Sequence, residues 1–553
     1  MKTRRRCAAT LLSLSSVAAF GVATPSAVVA APGADRGQPD AIAAGPLDLG
    51  PPDLTESRTT RTPQPGVTLT EITRGASDPS LTWTLEVGIP ATSTSPDPLA
   101  PPRVISDEAS AQALADRLRA KGYEPRVEAV ARPRAVDVPA GTLGHRVRIG
   151  TYPTKAAAGA ARAELVATGE SANDVYTGWD GDRSARGPWN IKVVTIDPRR
   201  FRGTLDASYG PNLQDRETTS ELSRAAGATI GVNGGYFVFD PAAGAPGDPA
   251  GVGVYDGQLL SETVDGRPGL VLRPDARHTS VERLFWAGSA TIAGRPAALD
   301  GINRVPGLIR NCGGDPTDLP TALPLHDVTC TDAAELVAFT PQFGPTTPAG
   351  PGREVVLDAG GLVRSVSQAR GTSLSTGSSS LQGTGDLADV LAQVRIGDRI
   401  EVRTRLVDAD GRTQAGRRDS EVVSGGPMLV QDGREHITQQ RGGFVRPTDP
   451  SFSYGFVAKR NPRTFGGVDA RGRTVLVTAD GRSTQDLGLS VPESADVARS
   501  LGLVDAMNLD GGGSTTMVLQ GNLISRPSDA TGERPVGDAL LVLPTRRHGR
   551  GTP

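Results

Sequence analysis

The sequence predicts an α+β protein in which a small duplicated β-α-β domain precedes a larger mixed-sheet α+β domain. Three observations carry this. At 553 residues the chain is too long for one ordinary core. A strand–helix–strand pattern occurs twice between residues 66 and 180. From residue 181 to 545 the pattern becomes short strands punctuated by turns, and 68 glycines with 44 prolines fit that reading.

Residues 1–30 read as a signal peptide. Lys2, Arg4, Arg5 and Arg6 form a charged start, an apolar run extends from Ala8 to about Val22, and Val28-Val29-Ala30 supplies small residues for cleavage. The run is short and broken by Ser13, Ser15 and Ser16, which fits secretion better than a membrane anchor. The expected location is therefore secreted or extracellular, with no membrane span in the mature chain. Residues 31–65, rich in Pro, Gly, Ala, Asp and Thr without periodicity, read as a flexible linker. A net charge of -2 gives no reason to expect a nucleic-acid partner.

Within residues 66–180, Trp83 to Ile89 alternates like a strand. Ala111, Leu114, Ala115 and Leu118 share a helix face that Gly122 ends. A strand from about Tyr123 to Val130 completes the first unit. The second runs from His145 to Gly150, through an Ala-rich helix over 154–166, to Asp174–Thr177. Two helices then cover one face of a small sheet.

In the larger domain helices are expected to be few, one over 217–226 and one around 493–501. Cys312 and Cys330, the cysteines left after the signal, are expected to form one disulfide in an oxidising compartment. The five histidines are scattered without metal-ligand spacing, so neither a metal nor another cofactor is expected.

Three segments place polar groups and glycines at strand ends. Asn233-Gly234-Gly235 ends a β-run and reads either as a turn or as a close backbone approach to a ligand. Arg460, Arg463 and Thr464 precede a strand pair that ends in Asp480-Gly481-Arg482; such cations suit a phosphate. Ser490-Val-Pro-Glu493 opens a helix as a capping box, leaving Glu493 either a cap or an acid. The next strand places Asn508 and Asp510 on one side, then Gly511, Gly512, Gly513 and Ser514, where backbone N–H groups are expected to form an anion nest.

Asn233-Gly-Gly-Tyr-Phe, Ser424-Gly-Gly-Pro427, Asn461-Pro-Arg463-Thr464, Asp480-Gly-Arg and Asn508-Leu-Asp-Gly-Gly-Gly-Ser514 occur in the order of the phosphodiester glycosidase family. The chain resembles that family, of the uncovering-enzyme type, from about residue 188 to 544. The duplicated unit, with Val87-Gly88-Ile89-Pro90 matching Ile149-Gly150-Thr151-Tyr152, resembles the SPOR domain, a peptidoglycan glycan-strand binder. It departs from that family by an insertion over 91–102.

The resemblance implies hydrolysis of a glycosyl phosphodiester, and the two domains together suggest a cell-wall or capsule-like polymer as substrate. Asp510, Asp480 and Glu493 are the candidate catalytic residues. Asn233, Gly234, Gly235, Arg460, Arg463, Thr464, Arg482, Asn508, Gly511, Gly512, Gly513 and Ser514 are the candidates for substrate binding. Two alternatives are a non-catalytic cell-wall glycan binder and a phosphodiesterase that cleaves P–O. Residues 546–553 read as a tail.

Overall fold

The structure, a computed structural model, describes residues 45–90, 103–264, 266–312, 325–414, 419–446 and 449–545. The expected signal peptide, the 91–102 insertion, the tail and most of the segment between the cysteines lie outside the described residues. The fold is mixed α+β, rich in sheet and sparse in helix.

The smaller sheet has the order Pro125–Ala131, Thr142–Tyr152, Trp83–Val87, Ala172–Tyr176. Helices Glu108–Ala120 and Lys155–Ala167 start where Asp107 and Thr154 cap them through Ser110 and Ala157 N–H. Leu85, Val87, Val147 and Ile149 face these helices and pack with Leu114, Leu118, Ala158 and Leu165. Alternation turns Glu86 and Arg148 to the opposite face. There Glu86 accepts from Arg148 (3.0 Å), from Tyr454 Oη (2.6 Å) and from Lys459 Nζ (3.1 Å), the last two belonging to the larger domain. Arg148 also reaches Asp180 at 2.6 Å. Buried charges are tolerated only when paired in this way, so the cluster fixes the small sheet to the larger domain.

That domain is organised by an eight-stranded sheet. Its central strands are Val67–Arg74, Trp189–Ile196, Thr474–Ala479, Arg463–Asp469, Leu503–Asn508 and Met428–Gln431, each antiparallel to its neighbours. Both faces are covered. Val193, Phe465, Val475, Val477 and Ala506 enter one core, and Val194, Leu476 and Met507 the other. The register pairs Arg463 with Ala479 and Phe465 with Asn508. The ends of three strands therefore lie together and bring the polar segments to one edge. A second sheet orders Met517–Leu519, Ile230–Asn233 and Ala539–Leu543 beside it. The insertion between Asn233 and Ser424 leaves along the long strand Thr279–Ile292 and forms its own five-stranded sheet over a core of Leu336, Val355, Leu381 and Leu391.

The linker and boundary expectations need correction. Leu47 and Leu49 are buried, and Glu56–Gln64 is a strand paired with Val67–Arg74, which joins Trp189–Ile196. Residues 56–74 thus form a hairpin of the main sheet. They are neither linker nor part of the small domain. Most side chains of the outer strand are exposed, so the hairpin carries no hydrophobic signature. The two expected helices are Thr219–Ala226 and Val491–Ser500, both opened by capping boxes.

Candidate active site

Asp510 follows the strand Leu503–Asn508 and is held by its backbone from two sides. Its N–H donates to the Gly234 carbonyl at 3.1 Å, and Asn233 Nδ2 donates to its carbonyl at 2.8 Å. Asn233 Oδ1 accepts from Thr464 Oγ1 (2.7 Å) and Thr516 N–H (3.0 Å). Both polar atoms of Asn233 are therefore committed, and Asn233 and Thr464 are wholly buried. They clamp Asp510, and the structure corrects their assignment as substrate ligands. Gly234 and Gly235 complete the clamp: a Cβ on Gly234 would sit 2.4 Å from Asp538 Oδ1, and Gly235 N–H donates to that same oxygen. Asn508 is likewise buried, with Nδ2 donating to Tyr236 Oη at 3.0 Å and to the Gly426 carbonyl at 3.2 Å. It too supports the loop from behind.

The Asp510 carboxyl is only partly exposed. Burial pushes its pKa up to about 6, and the Asp327 charge adds to the rise. Arg534 and the Gly511 N–H, which donates to Oδ1 at 2.8 Å, oppose it. The Ser514 hydroxyl lies beside the carboxyl and opposes it too, though it is buried without a hydrogen bond of good geometry. A carboxyl poised there changes charge near neutrality.

Four N–H groups of the glycine loop, expected to form an anion nest, are engaged within the protein. The N–H groups of Gly511, Gly512, Ser514 and Thr515 donate to Asp510 Oδ1, Pro462 O, Gly511 O and Gly512 O. The missing side chains make room for arginines instead. A Cβ on Gly513 would lie 2.2 Å from Arg534 Nη2, and one on Gly512 3.2 Å from Arg482 Nη2. Arg534 pairs with Asp529 at 2.7 Å. Arg482 takes φ +58°, a left-handed conformation that costs a non-glycine residue about 1–2 kcal/mol. Its side chain is 42% exposed, within reach of solvent beside the loop. Arg463 is buried over the Phe456 ring and donates Nε to the Leu489 carbonyl at 3.0 Å; burial lowers its pKa to about 10.

Other expected residues lie in structural roles. Arg460 gives Nε and Nη2 to Glu493, with 2.6 Å from Nη2 to Oε1, and donates to the carbonyls of Gly178 and Asp182. Its side chain is buried and these four hydrogen bonds hold most of its donors. Glu493 holds Arg460 and accepts the Ser490 N–H at 2.9 Å as a capping residue, so it is not an available acid. Asp480 is buried against Lys192 Nζ at 2.5 Å and accepts Arg526 N–H at 3.1 Å. Burial raises its pKa and Lys192 opposes the rise. Both its oxygens thus have partners within the protein.

Asp327, Asp529 and Arg534 are the neighbours of Asp510 that sequence reasoning missed. Asp327 follows buried His326, whose ring lies 4.2 Å from that of Tyr236. Cys312 and Cys330 are bonded, with Cα atoms 5.5 Å apart, and so close the segment that carries Asp327. Among the described residues, the carboxylate group that could hold a cation is Asp206, Asp256 and Glu421; it shares no residue with this cleft.

Asp510 thus lies among guanidinium groups at the edge of an α+β sheet, an arrangement whose charge suits an anionic ligand. The chain carries a phosphodiester glycosidase family domain, matched over residues 351–543, and a SPOR domain ahead of it, matched over 104–173.

The mouse N-acetylglucosamine-1-phosphodiester alpha-N-acetylglucosaminidase is 38% identical over 110 residues, which cover 20% of this chain and 21% of that protein. The chain thus spans about a fifth of the length of the curated relatives it matches. A crystal structure from Burkholderia pseudomallei K96243, of a protein described provisionally as exported, is similar over 92% of this chain and 100% of that one. Its TM-score is 0.81 and its identity 33%. A hypothetical protein from Synechocystis, with TM-score 0.50 and 16% identity over 90% of this chain and 81% of that one, shares the fold.

Proposed function

We propose that this protein is an exported hydrolase of glycosyl-1-phosphodiesters, releasing a free sugar and a phosphomonoester. The observation that carries the reading is Asp510, a carboxyl with its pKa raised to about 6 beside Arg482 and Arg534 on a glycine loop. Asp510 acts at the anomeric carbon as nucleophile or base. Arg482 and Arg534 hold the phosphate, with Arg463 behind them. Glycosidases generally use two carboxyls, and Asp327, whose charge reaches Asp510, is the second. A phosphate leaves without full protonation, so Asp327 serves chiefly to orient water.

The SPOR domain holds the enzyme at peptidoglycan, and the substrate is a phosphodiester-linked wall or capsule polymer. The disulfide supports an oxidising location. Among the described residues no helix is long and apolar enough to cross a membrane.

The test is release of free sugar from an N-acetylglucosamine-1-phosphodiester by the wild type and by Asp510→Asn. Release by the wild type alone supports the reading. Equal release by both removes Asp510 from the chemistry. Pull-down of the whole protein with purified peptidoglycan tests the anchoring, and absence from the pellet rejects it.

A further inference from the structure

Phe239 is the large apolar side chain left open beside the arginines of the cleft. It is 47% exposed, whereas the aromatic rings nearer the core are buried. The Arg534 guanidinium carbon lies 5.2 Å from its ring centroid, and that of Arg216 lies 4.8 Å from it. Arg534 also packs against Gly513, three residues beyond the clamped Asp510. The Phe239 ring is thus one side chain removed from the loop that carries Asp510.

The two arginines differ in their commitments. Arg534 is paired with Asp529. Among the described residues Arg216 has no ion pair or hydrogen bond; its contact is the Phe239 ring. It is half-buried, and burial with the nearby Arg534 charge lowers its pKa. The ring attracts this partly desolvated cation without neutralising it, so its charge stays available to an anion. The charges agree: Arg534 stands near both Arg216 and Arg482, and Asp529 faces Arg482 and Arg534. One phosphate at Arg482 and Arg534 leaves Arg216 still unmatched.

We propose that Phe239 and Arg216 form a leaving-group subsite for a sugar that carries a further anionic group. The C–H face of the sugar stacks on the exposed ring. Arg216 takes the anion, such as the next phosphate of a polymer. The substrate class is then a chain of repeating sugar phosphates, and small phosphodiesters fill the site only in part. This rests on the proposed phosphodiester hydrolysis at Asp510.

The test uses the full-length protein and two N-acetylglucosamine-1-phosphodiesters. One has a methyl group as its second ester, the other a hexose bearing an additional phosphate. Phe239→Ala and Arg216→Gln are expected to lower kcat/KM for the hexose phosphate about tenfold, mainly through KM, and to leave the methyl ester within about twofold. Equal losses on both esters, or none on either, overturn the subsite.

Binding of hexose 1,6-bisphosphate, followed by calorimetry, keeps the two readings apart. If the wild type hydrolyses neither ester but binds the bisphosphate, and both variants weaken that binding, the subsite stands and the hydrolytic reading falls. If the variants bind as the wild type does, or no protein binds, the subsite is rejected.

Discussion

Replacing Asp510 by Asn should stabilise the fold while removing activity. Folding raises this carboxyl from 3.8 to about 6, chiefly because it leaves water. The sign follows from proton binding. Below pH 3.8 the carboxyl is protonated in both states and costs nothing. Between pH 3.8 and 6 the unfolded state loses its proton first, so stability falls as pH rises. Above pH 6 the cost is complete, at about 3 kcal/mol. Asn keeps an oxygen for the Gly511 N–H and carries no charge.

Asp510→Asn should therefore melt about 5 °C above the wild type at pH 8 and nearly with it at pH 4. Thermal unfolding by circular dichroism at both values is the assay. A variant equally or less stable at pH 8, or a gain that is the same at both pH values, would refute the reasoning that desolvation strains this carboxyl.

Four further outcomes are expected. In the wild type, kcat/KM rises through about pH 6 as Asp510 ionises; a pH–rate profile flat from 5 to 8 contradicts its role as base or nucleophile. Arg534→Ala and Arg482→Ala each lower kcat/KM roughly tenfold or more, whereas unchanged kinetics in both would remove them from the phosphate. Arg460→Ala breaks the buried pair with Glu493 and costs about 3–5 kcal/mol in urea unfolding, yet KM of the folded fraction stays as in the wild type. Cys312→Ser with Cys330→Ser opens the loop carrying Asp327 and costs about 3 kcal/mol; an unchanged denaturation midpoint would argue against the staple.

Local signals were readable and long-range commitments were not. The Ser490–Glu493 capping box and the Thr154 cap form from residues three apart, so the sequence contains both partners. Asp510 stood out because a strand meets three glycines. The reason for those glycines lay elsewhere, in arginines that need the space. Arg460 and Glu493 looked like active-site charges because their partners are remote: Glu493 is 33 residues from Arg460, and the Gly178 carbonyl is 282 residues away. Lys192 sits 288 residues from Asp480, and no pattern near Asp480 announces it. Asp327 and Arg534 occupy unremarkable stretches and acquire meaning only where the chain returns to Asp510. The 56–74 hairpin was hidden because an exposed edge strand does not need apolar alternation.

The most direct test of the account is hydrolysis of an N-acetylglucosamine-1-phosphodiester in isotopically labelled water, with wild type and Asp510→Asn in parallel. The account predicts label in the released sugar, none in the phosphate, and loss of release in the variant. Label in the phosphate, or undiminished release by Asp510→Asn, would contradict it.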